Sequence, residues 1–154
     1  MEKVLFVCLG NICRSAIAEG ILTEKVKSQG IKIIVDSAGT SNYHIGEAPD
    51  QRMQQKAKEH KLSIADQRGR QFIAEDFDNF DYIFAMDASN RDNILRLARN
   101  VGDKNKVELF LNLSHPGKDL SVPDPYYGGE QGFEDVYQML NIACDQFLMN
   151  LKDE

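Results

Sequence analysis

The sequence predicts an α/β fold: a small doubly wound sandwich with a four-stranded parallel sheet and helices on both faces. Three observations carry this. A short apolar run at residues 4–7, a helical stretch and a β-branched run at 31–35 make a βαβ unit within the first 36 residues, which implies parallel strands. Two more short apolar runs, 80–86 and 107–111, alternate with stretches of helical periodicity. The chain has 154 residues, 42% of them hydrophobic, which fits one domain, residues 1–154, around a single core.

The elements follow in order. Residues 4–7 are the first strand. Ala18, Leu22 and Val26 recur every four residues and mark a helix over 15–28, which Gly30 stops. The second strand covers 31–35. Residues 36–42 are polar and read as a turn at its carboxyl end, beside the loop that follows strand 1. Pro49 with Asp50 starts a second helix, whose apolar positions are Met53 and Ala57 and whose end falls near His60 or Lys61. Residues 63–76 read as a polar loop with Arg68 and Arg70 solvated or contacting acidic neighbours. A third strand covers 80–86, and a helix over 87–98 buries Ile94, Leu95 and Ala98 and stops at Gly102. A fourth strand covers 107–111. Residues 112–130 form a long loop with three of the four prolines. Such loops in compact domains are functional or disordered. The last helix repeats Phe133, Val136, Tyr137, Leu140, Ala143, Cys144, Phe147, Leu148 and Leu151 at helical spacing, which places Cys144 in the core.

Composition excludes several classes. The formal net charge is −6, against nucleic-acid binding. No apolar run approaches the roughly 18 residues of a membrane span. The N-terminus offers no secretory signal, so the expected compartment is the cytoplasm. Three cysteines, Cys8, Cys13 and Cys144, do not make a disulfide framework. No third ligand stands at zinc spacing beside Cys8 and Cys13, and His44, His60 and His115 are scattered. No metal or cofactor is implied.

The chemistry concentrates where strand 1 turns into helix 1: Cys8, Leu9, Gly10, Asn11, Ile12, Cys13, Arg14, Ser15. A strand-to-helix turn aims backbone N–H groups and a helix N-terminus at one point, where an anion binds. A thiol held there loses its proton easily. Gly10 and Asn11 tolerate the positive φ of a tight anion nest. Arg14 offers a planar fork for two phosphoryl oxygens, and Ser15 a hydroxyl for the thiolate. Each residue also has an ordinary reading: Cys8 as a small buried hydrophobe, Arg14 as a surface helix residue, Ser15 as an N-cap. Asp124, between Pro123 and Pro125, is a carboxylate on a stiffened loop. It suits the protonation of a leaving oxygen and equally the start of a turn.

Residues 7–19 and 124–128 resemble the two signatures of the low-molecular-weight protein tyrosine phosphatases. Residues 36–40, 80–83 and 86–87 are similar to that family as well, so the resemblance covers essentially the whole chain. It implies a flavodoxin-like sheet and a hydrolase of phosphotyrosine proteins or small aryl phosphates, releasing inorganic phosphate. Cys8 would be the nucleophile that forms a phosphocysteine. Arg14 and the backbone N–H groups of Leu9, Gly10, Asn11, Ile12, Cys13 and Arg14 would hold the phosphoryl oxygens. Asp124 would be the acid and then the base. Asn11 would brace the loop with Ser37 as its partner. Tyr43 and Tyr126 would wall the ring slot, with Tyr127 on the rim. Cys13 would form a reversible disulfide with Cys8 under oxidation, or be inert packing. A monomer without membrane or nucleic-acid partners is expected.

One departure stands: the family commonly has proline after the serine, and this chain has Ala16. Alanine is an excellent helix former, so little functional effect is expected. Three rival readings fit the sequence less well. An arsenate reductase needs further cysteines near 75–90, and none occurs there. A protein-arginine phosphatase tends to carry threonine where this chain has Ile12. A non-catalytic phosphotyrosine-binding module has no need of both Cys8 and Asp124.

Overall fold

The central strand of the sheet, β1 (Glu2–Cys8), is buried from Val4 to Cys8 and has a neighbour on each side. The other strands are β2 (Ile33–Gly39), β3 (Tyr82–Ala85) and β4 (Val107–Leu109). All pairs are parallel and the order is β2-β1-β3-β4. This computed structural model describes residues 1–153 and, at Tyr127, the backbone alone. The rim position expected for the Tyr127 side chain therefore lies outside the described residues.

Side chains alternate across a strand, and β1 uses both faces. Val4, Phe6 and Cys8 pack with α1 (Arg14–Gln29), α2 (Gln51–Glu59) and α6 (Gly129–Lys152). Leu5 and Val7 pack against α3 (Asp76–Asn79) and α4 (Ala88–Leu95). The sheet thus divides the apolar interior into two clusters, where the sequence suggested one core. The layered arrangement is the doubly wound sandwich. It carries the Cys8 loop beyond the carboxyl end of β1, where α1 begins.

The local ends have identifiable causes. α1 stops at Gly30, which takes φ +67°, and the Ile31 N–H returns to the Val26 carbonyl at 2.9 Å. That bond consumes the residue expected to open strand 2, so β2 starts later. β2 also runs on through residues 36–39, which read as a turn, because Asp36 to Gly39 pair in register with Leu5 to Cys8. A backbone ladder is indifferent to side-chain polarity. Asp50 caps α2 by accepting from the N–H groups of Arg52 and Met53.

Asp87 caps α4, which ends three residues earlier than the periodicity suggested. Gly102 is not a stop. It lies inside α5 (Val101–Asn105), a short helix started by Asn100, whose side chain accepts from Asp103 N–H at 2.8 Å. The four-residue α3 is too short to show a period. The proline-rich segment ends in a 3-10 turn, Pro125–Tyr127, capped by Asp124.

Candidate active site

The loop after β1 is turned by one strained residue and one absent side chain. Asn11 takes φ +58°, a left-handed conformation that Asn tolerates. Gly10 does not have positive φ. What it supplies is room, since a Cβ there would lie 2.9 Å from His44 Cδ2. Gly39 at the end of β2 matters in the same way: a Cβ would sit 2.7 Å from the Leu9 carbonyl oxygen and 3.1 Å from Asn11 N.

The loop carbonyls are tied away by the 40–50 segment. Cys8 O accepts from Thr40 N at 2.9 Å, Leu9 O from Ser41 N at 3.0 Å, and Ile12 O from Asp50 N at 2.7 Å. The N–H groups of Gly10 to Cys13 meet no acceptor among the described residues. Unpaired N–H groups in a turn entering a helix form a nest for an anion.

Cys8 stands at the start of this nest, 3% exposed, with its Sγ 3.0 Å from Ser15 Oγ. Ser15 lies inside the first turn of α1, whose N-cap is Cys13, so it is not the cap. Its hydroxyl also accepts from Asn11 Nδ2 at 2.8 Å. The same Nδ2 donates to Ser37 Oγ at 2.9 Å, and Ser37 donates to Glu19 Oε1 at 2.6 Å. Asn11 Oδ1 accepts from Arg70 N at 3.1 Å, which fixes the amide. The side-chain polar atoms of Asn11, Ser15 and Ser37 are all bonded, which avoids about 1–3 kcal/mol for each group that burial would leave unsatisfied.

Arg14 is 8% exposed. Its Nη1 donates to Asp87 Oδ2 at 2.8 Å and to Val122 O at 3.1 Å. Among the described residues its Nε and Nη2 have no partner, which leaves one edge of the fork for an oxyanion. Burial works against its charge, yet the Cys8 sulfur and Asp87 outweigh burial and its pKa rises. The guanidinium therefore supplies fixed local positive charge in a chain of net −6.

Asp124 and the tyrosines come to the same place from the far end of the sequence. A cleft of about 210 Å³ is lined by Cys8, Leu9, Gly10, Ile12, Cys13 and Arg14, and by Tyr43, His44, Asp124, Pro125 and Tyr126. Asp124 is exposed and accepts from Tyr126 N at 2.9 Å. The Tyr126 hydroxyl donates to Asp50 Oδ2 at 2.9 Å, and the Arg52 guanidinium lies 4.5 Å from its ring centre. Burial, then the Asp50 bond, push the Tyr126 phenol up, so it stays neutral. Tyr43 is largely exposed where it lines the cleft. Burial, then the neighbouring Cys8 sulfur, push the Cys13 thiol up.

Four residues of the site escaped sequence reasoning. Asp87, Glu19 and Asp50 act on named site residues through hydrogen bonds that span long stretches of chain. Arg70 was expected in solvent or against acidic neighbours, and the second holds: it pairs with Asp76 at 3.1 Å and Asp36 at 3.2 Å. Only Asp76, close by in sequence, and the half-apolar segment around 72–77 hinted at this. What was not expected is that its backbone N–H braces Asn11.

Fold and site together define a class: phosphatases that hold a cysteine in an anion nest on a doubly wound sheet. A model of the family described as low molecular weight phosphotyrosine protein phosphatase matches residues 3–154. The low molecular weight phosphotyrosine protein phosphatase of Homo sapiens is 46% identical over 150 residues, 96% of this chain and 94% of the relative. A protein tyrosine phosphatase from Entamoeba histolytica, solved with Hepes in the active site, superposes with a TM-score of 0.92 at 40% identity, covering 99% and 98% of the two chains. The drosophila arginine phosphatase superposes with a TM-score of 0.90 at 37% identity, covering 99% and 98%. The chain belongs to the low-molecular-weight phosphotyrosine protein phosphatase family, a family of hydrolases.

Proposed function

We propose that this chain hydrolyses phosphotyrosine in proteins, and small aryl phosphates, through a phosphocysteine on Cys8. The observation that carries this is the single cleft that gathers Cys8, Arg14 and Asp124 with Tyr43 and Tyr126. Cys8 Sγ attacks phosphorus while the bond to the phenolic oxygen breaks. Asp124 delivers its proton to that oxygen. The loop N–H groups from Leu9 to Arg14 and the free edge of the guanidinium hold the equatorial oxygens as charge shifts. Ser15 donates to the sulfur, stabilising it first as nucleophile and then as leaving group. In the second step Asp124, now a carboxylate, takes a proton from water. The water oxygen bonds to phosphorus, the P–S bond breaks, and inorganic phosphate leaves.

Ile12 in the cleft lining supports a phenyl ring over a guanidinium, which would bury an unpaired donor against it. Cys8, Arg14 and Asp124 meet within a single chain, so the proposed reaction asks nothing of a second copy. Among the described residues no helix is long and apolar enough to cross a membrane. Three free thiols, Cys8, Cys13 and Cys144, fit a reducing compartment such as the cytoplasm.

Hydrolysis of phosphotyrosine, phosphoserine and phosphoarginine peptides tests the reading, with wild type, Cys8→Ser and Asp124→Ala compared. Phosphotyrosine is the preferred substrate. Cys8→Ser is inactive yet still binds. Asp124→Ala loses about 10²–10⁴-fold in rate with poor phenolic leaving groups and far less with good ones. Turnover by Cys8→Ser sinks the mechanism, and a phosphoarginine preference moves the chain to the arginine-specific branch.

A further inference from the structure

We propose that Arg52 is a positioning residue for substrate specificity: by covering one face of the Tyr126 ring it sets the tilt of the aromatic wall against which the substrate's aryl ring lies. The inference rests on the reading of Tyr126 as a wall of the ring slot.

Tyr126 sits in the short 3-10 turn Pro125–Tyr127, outside any long helix or strand, and is 40% exposed. Side chains therefore place its ring. Asp50 Oδ2 accepts the hydroxyl hydrogen at 2.9 Å. That oxygen lies on the axis about which the ring turns, so the bond fixes the far end of the ring and leaves its tilt open. The tilt of a tyrosine is a broad, soft torsion, and only a contact on the face or edge can set it. Phe133, buried near the start of α6, meets the ring edge to face with centres 6.1 Å apart. Arg52 supplies the contact on the face: its guanidinium carbon is 4.5 Å from the Tyr126 ring centre and 4.9 Å from that of Phe133. These are cation–π distances.

Arg52 stands behind the wall. It does not line the catalytic cleft, which Tyr126 does. It lines the neighbouring groove of about 400 Å³ between α2 and α6, with Lys56, Glu59 and Phe133. Its place in α2 favours this duty over that of an ordinary surface residue. It is the second residue of the helix, where the macrodipole disfavours a cation. The cap residue Asp50 offsets this, with Oδ1 3.5 Å from Arg52 Nε. The same carboxylate is fixed by the N–H groups of Arg52 and Met53, and the Asp50 N–H donates to Ile12 O at 2.7 Å. The ring is thus held at its hydroxyl and on its face by two residues of one helix start, and that start is tied to the loop that carries Cys8.

The test compares wild type, Arg52→Ala, Arg52→Lys, Tyr126→Ala and the double variant Arg52→Ala/Tyr126→Ala. The readout is the inhibition constant of two competitive inhibitors of aryl phosphate hydrolysis: inorganic phosphate, which has no ring, and phenylphosphonate, which has one. A general loss of positive charge or of folded protein weakens both, whereas a displaced wall weakens only the second. Arg52→Ala is expected to weaken phenylphosphonate about fivefold and phosphate less than about twofold. Arg52→Lys keeps a cation over the ring and returns phenylphosphonate to within about twofold of wild type. A residue that acts through Tyr126 has nothing left to act on without it, so Arg52→Ala adds no further loss in the Tyr126→Ala background. Equal weakening of both inhibitors, wild-type selectivity in Arg52→Ala, or a further ring-dependent loss in the double variant overturns the proposal. A wild type that binds the two inhibitors alike rejects the ring slot itself. A wild type that prefers phenylphosphonate, beside an Arg52→Ala that does so equally, leaves the slot standing and rejects only the positioning role.

Discussion

Asp87 holds Arg14 with one carboxylate oxygen and caps α4 with the other. Oδ2 accepts from Arg14 Nη1 at 2.8 Å, and Oδ1 accepts from Asn90 N–H at 2.7 Å. The start of one helix thereby aims the cation at the start of another. The guanidinium is turned by a fixed partner, and its other edge makes no hydrogen bond among the described residues.

The two duties of Asp87 separate by substitution. Asp87→Asn retains an oxygen for the cap but gives up the charge that holds Arg14. It is expected to lower kcat/KM at least about tenfold while costing less than about 1 kcal/mol in stability. Asp87→Ala loses both, and its denaturant midpoint falls by the further ~1 kcal/mol that a lost cap costs. Steady-state kinetics and urea unfolding on the two variants give the split. Equal stability of Asn and Ala at this position would remove the capping role.

Glu19 makes stability depend on pH in an unusual direction. Burial, opposed by the Ser37 bond, raises its carboxyl from 4.5 to about 7 on folding, so between those values the folded state binds more protons than the unfolded one. Stability then falls as pH rises. The wild type is expected to lose about 3 kcal/mol relative to Glu19→Gln between pH 4.5 and pH 8. Urea unfolding of both proteins at a series of pH values measures it. A difference between them that stays constant with pH contradicts the raised carboxyl.

Cys13 and Cys8 are both buried free thiols lining one cleft. Peroxide is expected to convert the Cys8 thiolate to a sulfenic acid, which the Cys13 thiol attacks with loss of water to close a disulfide that a dithiol reverses. Cys13→Ala is expected to keep most of its activity. After peroxide treatment it should regain little with dithiothreitol, whereas wild type regains most. Mass spectrometry distinguishes a Cys8–Cys13 disulfide from sulfinic acid on Cys8. Equal recovery of the two proteins assigns Cys13 to packing alone.

What the sequence determined by itself is local or periodic. The βαβ opening is written in residues 4–7 and 31–35, the long α6 in its three-to-four-residue repeat, and the nest in the spacing of Cys8 and Arg14 around Asn11. Two prolines marked Asp124 as a carboxylate on a stiffened loop, and only the family resemblance chose between a proton donor and a turn start. These signals need only neighbours in the chain, since helix period, strand alternation and left-handed tolerance are properties of short segments. Tertiary structure alone decided the rest. The β1–β2 register carried Asp36 to Gly39 into the sheet against their polarity. Asn100 began a helix across Gly102, and the fold brought Asp87, Arg70 and Glu19 to residues far from them in the chain. A buried donor or acceptor must find a partner wherever the fold supplies one. That partner's distance along the chain is set by topology, so no pattern in the chain announces it.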